Sequence, residues 1–347
     1  MARSMRLFLI RHGETVDNVA QLYAGSRDSE LTKHGYQQAA RLGMRFQSVG
    51  LSFTHLFSSH LQRAVTTAGK LREAQTRSLK DDALQALVPD VVQLPVLVEQ
   101  DFGSMEGKKW SDRPPDSNVV GKEHRKQEQK DTVGFVAVET KDSMARRADT
   151  FIDEHLMPFF NSSSQCINPV IAIVSHGIFL SILWKRLLLR LPPKSVALSP
   201  ELQAIARPSL EHLGGWSNTG YLELHLTQTA HEPAKFSADA PPLSVLEHSS
   251  LSAGMRAASD GADEVQPVPS NDIPVAQQTT SEKLSSPATV APRSMPLQIA
   301  YGWTTTILAI NGKDHLKGLK RTGGGVGSSR HDASQKNIDM FFKRRKV

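Results

Sequence analysis

Residues 5–15 read MRLFLIRHGET, a short apolar run over 5–10 that stops at Arg11, His12 and Gly13. A run of this length, bulky throughout, suits a parallel strand buried on both faces. The segments around it repeat the pattern. LTKHGYQQAARLGMRF (31–46) opens with a threonine able to cap a helix and carries Ala39, Leu42 and Phe46 at helical spacing. Further strands are expected at 54–59 (THLFSS), 170–174 (VIAIV) and 220–226 (GYLELHL). Helices are expected at 61–74, at 142–160 starting on acidic Asp142, and at 178–189. Residues 75–142 are less regular, and the polar run GKEHRKQEQKD (121–131) reads as an exposed insertion. Alternating strands and helices predict an α/β fold, a three-layer α/β/α sandwich whose largely parallel sheet is covered on both faces. Ligands of such folds sit beyond the carboxyl ends of the strands, and His12 and His176 each fall two residues after an expected strand.

Composition sets the outer bounds. Cys166 is the only cysteine, so no intrachain disulfide is possible and a reducing compartment, nucleus and/or cytoplasm, is expected. The start, MARSMRLFLI, lacks the long apolar core and small-residue cleavage site of a secretory signal. No segment approaches the ~20 apolar residues of a membrane span, so no membrane association is expected. The net charge of +6 is concentrated at the end: residues 313–347 hold ten Lys and Arg against three Asp, which leaves 31 basic and 32 acidic residues in 1–312. A near-neutral body with a basic tail implies two separate jobs.

The chain divides accordingly. Residues 1–230 read as the catalytic domain. Residues 231–296 read as a disordered insertion, because 237–296 contain no aromatic residue and eight of the 19 prolines. Aromatic and β-branched residues return at 298–316, so 297–320 are expected to rejoin the domain as a terminal strand or hairpin. GGGVGSS after Thr322 marks 321–347 as a flexible basic tail.

Four pieces resemble a known family by their order and placement: Arg-His-Gly-Glu-Thr-x-x-Asn at 11–18, Leu-Thr-x-x-Gly at 31–35, Ser-x-x-x-Arg-Ala-x-x-Thr-Ala at 59–68 and Ser-His-Gly at 175–177. Together they resemble the histidine phosphatase (phosphoglycerate mutase-like) superfamily, over about 5–226 and again at 298–319. A neutral imidazole is a good nucleophile toward phosphorus and a tolerable leaving group afterwards, which suits His12 as the acceptor of a phosphoryl group. Fixed guanidinium groups stabilise the charge on its oxygens, a role for Arg11 and Arg63; a protonated His176 would add a third cationic donor. The resemblance further implies Thr15, Asn18, Ala24, Gly25 and Gly177 as substrate-binding positions. It implies Glu99 as the acid that protonates the leaving group, with Glu106 a nearby competitor. No cofactor and no metal are expected, since the histidines lack ligand spacing. Mutases of the family carry arginine directly after the acid. Here Gln100 follows, so the phosphatase branch is preferred and a phosphorylated small molecule is the expected substrate. A mutase-type phosphotransferase and a non-catalytic nuclear interaction module remain the alternatives.

The tail carries its own pattern. Gln335, Ile338, Phe341 and Phe342 have the form Q-x-x-I-x-x-F-F and resemble the PIP-box-like peptide that binds the sliding clamp (PCNA). On one helical turn the three apolar residues would share a face able to plug a hydrophobic pocket. KRRK at 343–346 resembles a site for a nuclear import receptor. Direct contact of the basic tail with nucleic acid is the competing expectation.

Overall fold

The computed structural model describes residues 3–78, 88–112, 134–161, 168–205, 209–228, 297–322 and 325–331. The expected insertions at 121–131 and 231–296 therefore lie outside the described residues, as do Gln335, Ile338, Phe341, Phe342 and the 343–346 cluster.

β1 (Ser4–Arg11) buries both faces, which is why its sequence is a continuous run: Leu7 and Leu9 enter one core, Phe8 and Ile10 the other. The second of these cores is closed by Leu42 and Phe46 of α2 (Lys33–Ser48) and by Ala64, Ala68 and Leu71 of α3 (Gln62–Ser78). A five-residue helix, α1 (Val16–Ala20), precedes α2. The first core is closed by Met144, Ala148 and Phe151 of α4 (Lys141–Phe151) and by Phe179, Leu180 and Leu183 of α5 (Gly177–Leu188). Each of the leucine, phenylalanine and methionine side chains, fully buried, stabilises the fold by roughly 1.5–3 kcal/mol, so the two cores rather than helix propensity hold the layers together.

One seven-stranded sheet lies between the helices. Besides β1 it contains β2 (His55–Ser58), β3 (Val91–Gln93), β4 (Val170–Ser175), β5 (Val196–Leu198), β6 (Tyr221–Gln228) and β7 (Trp303–Gly312), in the order β3-β2-β4-β1-β6-β7-β5. β6 runs antiparallel to both neighbours and every other pair is parallel. The architecture is the α/β sandwich with a largely parallel sheet that the sequence predicts.

Two departures have local causes. The helix expected without interruption over 142–160 contains a π-helical segment, Ile152–Leu156, before helix resumes at Met157–Asn161. Pro158 has no N–H to continue the ladder and its ring would press on the carbonyl of Glu154, so a widened turn relieves the clash. The second concerns residues 325–331, part of the segment read as a flexible tail, which pack against the start of α2 and the residues before it. The Lys33 N–H donates to Ser329 O at 2.9 Å, Arg330 pairs with Glu30, and the His331 ring stacks on Tyr36 with centroids 3.6 Å apart. Just before them, Arg321 pairs with Glu14 and Arg41 donates to Lys317 O at 3.1 Å. Glycine content alone suggested a linker, but the arginines on either side find buried or half-buried carboxylates.

Candidate active site

β1 and β4 are neighbours in parallel register, with Arg11 paired to Ser175. The next residue of each chain segment is a histidine, so His12 and His176 emerge side by side at the carboxyl edge of the sheet, ring centroids 5.1 Å apart. Their backbones are joined as well, His12 N–H donating to Ser175 O at 3.0 Å. The turn after His12 is locked from α3: Gly13 N–H donates to Thr67 Oγ1 at 3.0 Å, and that hydroxyl donates to Arg63 O at 2.7 Å. Thr32 does double duty, accepting from Gly35 N–H at 2.9 Å as the cap of α2 and donating to Glu14 Oε1 at 2.8 Å. Glycine is required at 35, because a Cβ there would stand 2.0 Å from Glu14 O. The Leu-Thr-x-x-Gly and Arg-Ala-x-x-Thr-Ala patterns are thus the fittings of the histidine loop.

Protonation follows from the hydrogen bonds. His12 Nδ1 lies 2.7 Å from Gly13 O, and a carbonyl can only accept, so the proton sits on Nδ1 and Nε2 carries the lone pair. Burial holds the His12 imidazole well below its usual 6.5, and the Arg63 and Arg11 cations push the same way. His176 Nδ1 accepts from Arg63 Nε at 3.1 Å. An arginine cannot accept, so His176 is neutral with its proton on Nε2, and burial followed by the charge of Arg63 keeps it so. His176 thus offers an Nε2–H donor as a neutral ring, in place of the cationic donor that a protonated ring would supply.

Buried neutral imidazoles make the fold acid-sensitive. The unfolded chain protonates each near 6.5 and the folded chain does not, so below that pH the unfolded state binds more protons and stability falls. His315, also buried, is lowered to about 4 and adds to the effect down to that pH. Each imidazole contributes a slope of ~1.4 kcal/mol per pH unit below 6.5. Urea unfolding midpoints should drop steeply from pH 6.5 to 5; a flat profile would mean that the folded protein protonates these rings.

The other expected site residues divide into two sets. Arg11, Asn18, Ala24, Glu99 and Gly177 line, with His12, a cavity of about 620 Å³. Arg11 is lowered from its ordinary value by burial, a shift that Glu99 opposes, and its Nη1 donates to Trp216 O at 2.6 Å. Glu99 caps α5, Oε2 accepting from Ile178 N–H at 3.1 Å and Oε1 from Phe179 N–H at 2.9 Å and Gln100 N–H at 3.0 Å. The second set stands behind the cavity. Thr15, fully buried, caps α1 by accepting from Asn18 N–H at 3.1 Å. Gly25 donates to Glu106, and a Cβ on it would collide with Gln100 O at 1.8 Å. Arg63 is 1% exposed and donates to the carbonyls of Ala24, Gly25 and Arg27 at 3.1, 2.8 and 2.9 Å as well as to His176. It is the clamp of the 24–27 loop. Arg11 Nε and His176 Nε2, both buried, have no protein acceptor among the described residues. Two unpaired buried donors beside an imidazole lone pair form a seat for an anion.

A sequence profile of the histidine phosphatase superfamily (branch 1) matches residues 7–201. The chain belongs to that superfamily. Relatives include a probable phosphatase of Schizosaccharomyces pombe, 32% identical over 192 residues, 52% of this chain and 56% of that protein. A 2,3-bisphosphoglycerate-dependent phosphoglycerate mutase of Mesorhizobium japonicum is 30% identical over 120 residues, 31% of this chain and 52% of that protein. The fructose-2,6-bisphosphatase TIGAR B of Danio rerio is 28% identical over 194 residues, 51% of this chain and 72% of that protein. The chain thus spans little more than half the length of the first two relatives.

Two groups in this histidine phosphatase site had no sequence signal. Asn218 donates to His12 O at 3.3 Å and to Asn18 Oδ1 at 3.0 Å, and Trp216 forms cavity wall. Both sit in irregular chain just before β6, more than 200 residues from His12, with no periodicity or motif to mark them. Glu106, the competitor of Glu99, accepts from Gly25, Ser26 and Phe102 N–H groups at 3.0–3.1 Å and is absent from the cavity wall, which favours Glu99 as the acid.

Proposed function

We propose that this histidine phosphatase superfamily member hydrolyses a phosphomonoester through a phosphohistidine on His12. The observation that carries it is the pairing of the His12 Nε2 lone pair with the unpaired buried donors of Arg11 and His176. In the first step Nε2 attacks phosphorus and the bond to the ester oxygen breaks. The departing alkoxide takes a proton from Glu99, whose Oε2 accepts one backbone N–H where Oε1 accepts two. In the second step water gives a proton to the Glu99 carboxylate and its oxygen attacks phosphorus. The P–N bond then breaks, and inorganic phosphate leaves with His12 regenerated. Arg11 and the His176 N–H stabilise the equatorial oxygens in both steps. Arg63 acts from behind, setting the His176 tautomer and holding the 24–27 loop.

Relatives of both kinds, phosphatase and mutase, match this chain. Hydrolysis is favoured by Gln100, which stands where the mutase pattern has arginine and whose amide is committed to Glu139 O at 2.8 Å. The test is 3-phosphoglycerate with a catalytic amount of 2,3-bisphosphoglycerate: phosphate release should outpace isomerisation, and the reverse would establish the mutase. A separate part of the proposal concerns the tail, whose Q-x-x-I-x-x-F-F pattern supports a contact with the sliding clamp, and whose KRRK run supports nuclear import. Calorimetry of a 332–347 peptide against the clamp, with Phe341→Ala and Phe342→Ala as control, should give heat that the control lacks; no heat from either would remove the idea.

A further inference from the structure

Away from the phosphoryl seat the cavity changes character. Tyr23 and Phe102 contribute rings whose centroids lie 4.7 Å apart, Trp110 stands at the rim with 47% of its surface exposed, and Ile178, Ile182 and Trp216 complete that wall. These groups are fixed in place. Backbone bonds zip the two segments that carry Tyr23 and Trp110: Tyr23 N–H to Lys108 O at 2.9 Å, Gly107 N–H to Tyr23 O at 2.8 Å and Trp110 N–H to Gln21 O at 2.9 Å. The Trp216 indole N–H is satisfied by Ser181 Oγ at 3.0 Å, which leaves its ring rather than a polar edge for a ligand.

The charge pattern sharpens the point. Among the described residues of the wall Arg11 is the only arginine or lysine, and Glu99 the only carboxylate. Lys108 and Lys109, exposed neighbours of Trp110, are not part of it. Arg11 is committed to the transferring phosphoryl group. Among the described residues, a second phosphate or a carboxylate on the substrate would therefore meet apolar surface and no further cation, an unfavourable burial.

We infer that the site takes phosphomonoesters of an apolar alcohol, one bearing an aromatic ring and no second anion. The inference rests on the proposed hydrolysis and names its substrate class. A cavity of about 620 Å³ is in the range of sites that enclose most of a medium-sized organic molecule.

The experiment compares three alkyl phosphates on the full chain, chosen so that the leaving oxygen is an alkoxide throughout: propyl phosphate, 3-phenylpropyl phosphate and 3-phosphoglycerate. Burial of the phenyl ring should raise kcat/KM about tenfold or more over propyl phosphate, and 3-phosphoglycerate should fall below propyl phosphate. Trp110→Ala and Phe102→Ala should each reduce the phenylpropyl-to-propyl ratio. Equal rates for the propyl and phenylpropyl esters, or 3-phosphoglycerate as the best of the three, would overturn the inference while leaving hydrolysis standing. No phosphate from any ester, and no phosphoenzyme, would overturn the proposed function and the inference with it.

Discussion

Replacing His12 with alanine is expected to lower kcat/KM for a phosphomonoester by about 10⁴-fold or more, as loss of a covalent nucleophile does elsewhere. The fold should survive. The imidazole bonds only to the carbonyl of its own neighbour Gly13, whereas the backbone anchors, His12 N–H to Ser175 O and Thr219 N–H to His12 O at 3.0 and 3.1 Å, do not involve the ring. The variant should also unfold less steeply with acid, since one of the buried neutral imidazoles is gone. Activity within tenfold of wild type would show that another group is the nucleophile.

The second large effect is at Arg63. Its guanidinium is a buried fork that satisfies three loop carbonyls and the His176 ring, and lysine offers charge without the fork. Arg63→Lys should therefore lose stability, by about 3 kcal/mol, because several charge-assisted bonds go and their acceptors stay buried. It should also lose about 10²-fold in kcat/KM, because His176 is no longer held as the Nε2–H tautomer and the Ala24 wall loosens. Differential scanning calorimetry and steady-state kinetics on the same preparation measure both. A lysine variant that melts like wild type but is inactive would mean that the Arg63 fork donates to the substrate and is not the clamp of the loop.

Those two residues illustrate what a sequence can carry. β1, α2, β4 and α5 were legible because their burial repeats with the period of the backbone: both faces of β1 and β4 are buried, and one stripe of α2. β3 and β5 have three residues each, too few to display a period, and α1 is a single capped turn. At the site, Arg11, His12, Arg63 and His176 drew notice as residue types in a familiar order, and the fold assembles them. The partners of Arg63 were not legible, since a backbone carbonyl has no residue-type signature. Nor was the neutrality of His176, which depends on which ring nitrogen the arginine reaches. The contacts of 325–331 were not legible for a related reason: they run through backbone groups, Lys33 N–H to Ser329 O and His331 N–H to Leu31 O, which leave no signature in residue type.

Phosphorylation of His12 is the central claim, and rapid quench during turnover tests it most directly. Wild-type protein mixed with a ³²P-labelled substrate and stopped in base should retain acid-labile, base-stable label, and peptide mapping should place it on the peptide containing His12. Label on a different residue, or phosphate release in steady turnover with no labelled protein at any quench time and no pre-steady-state burst, would contradict the account.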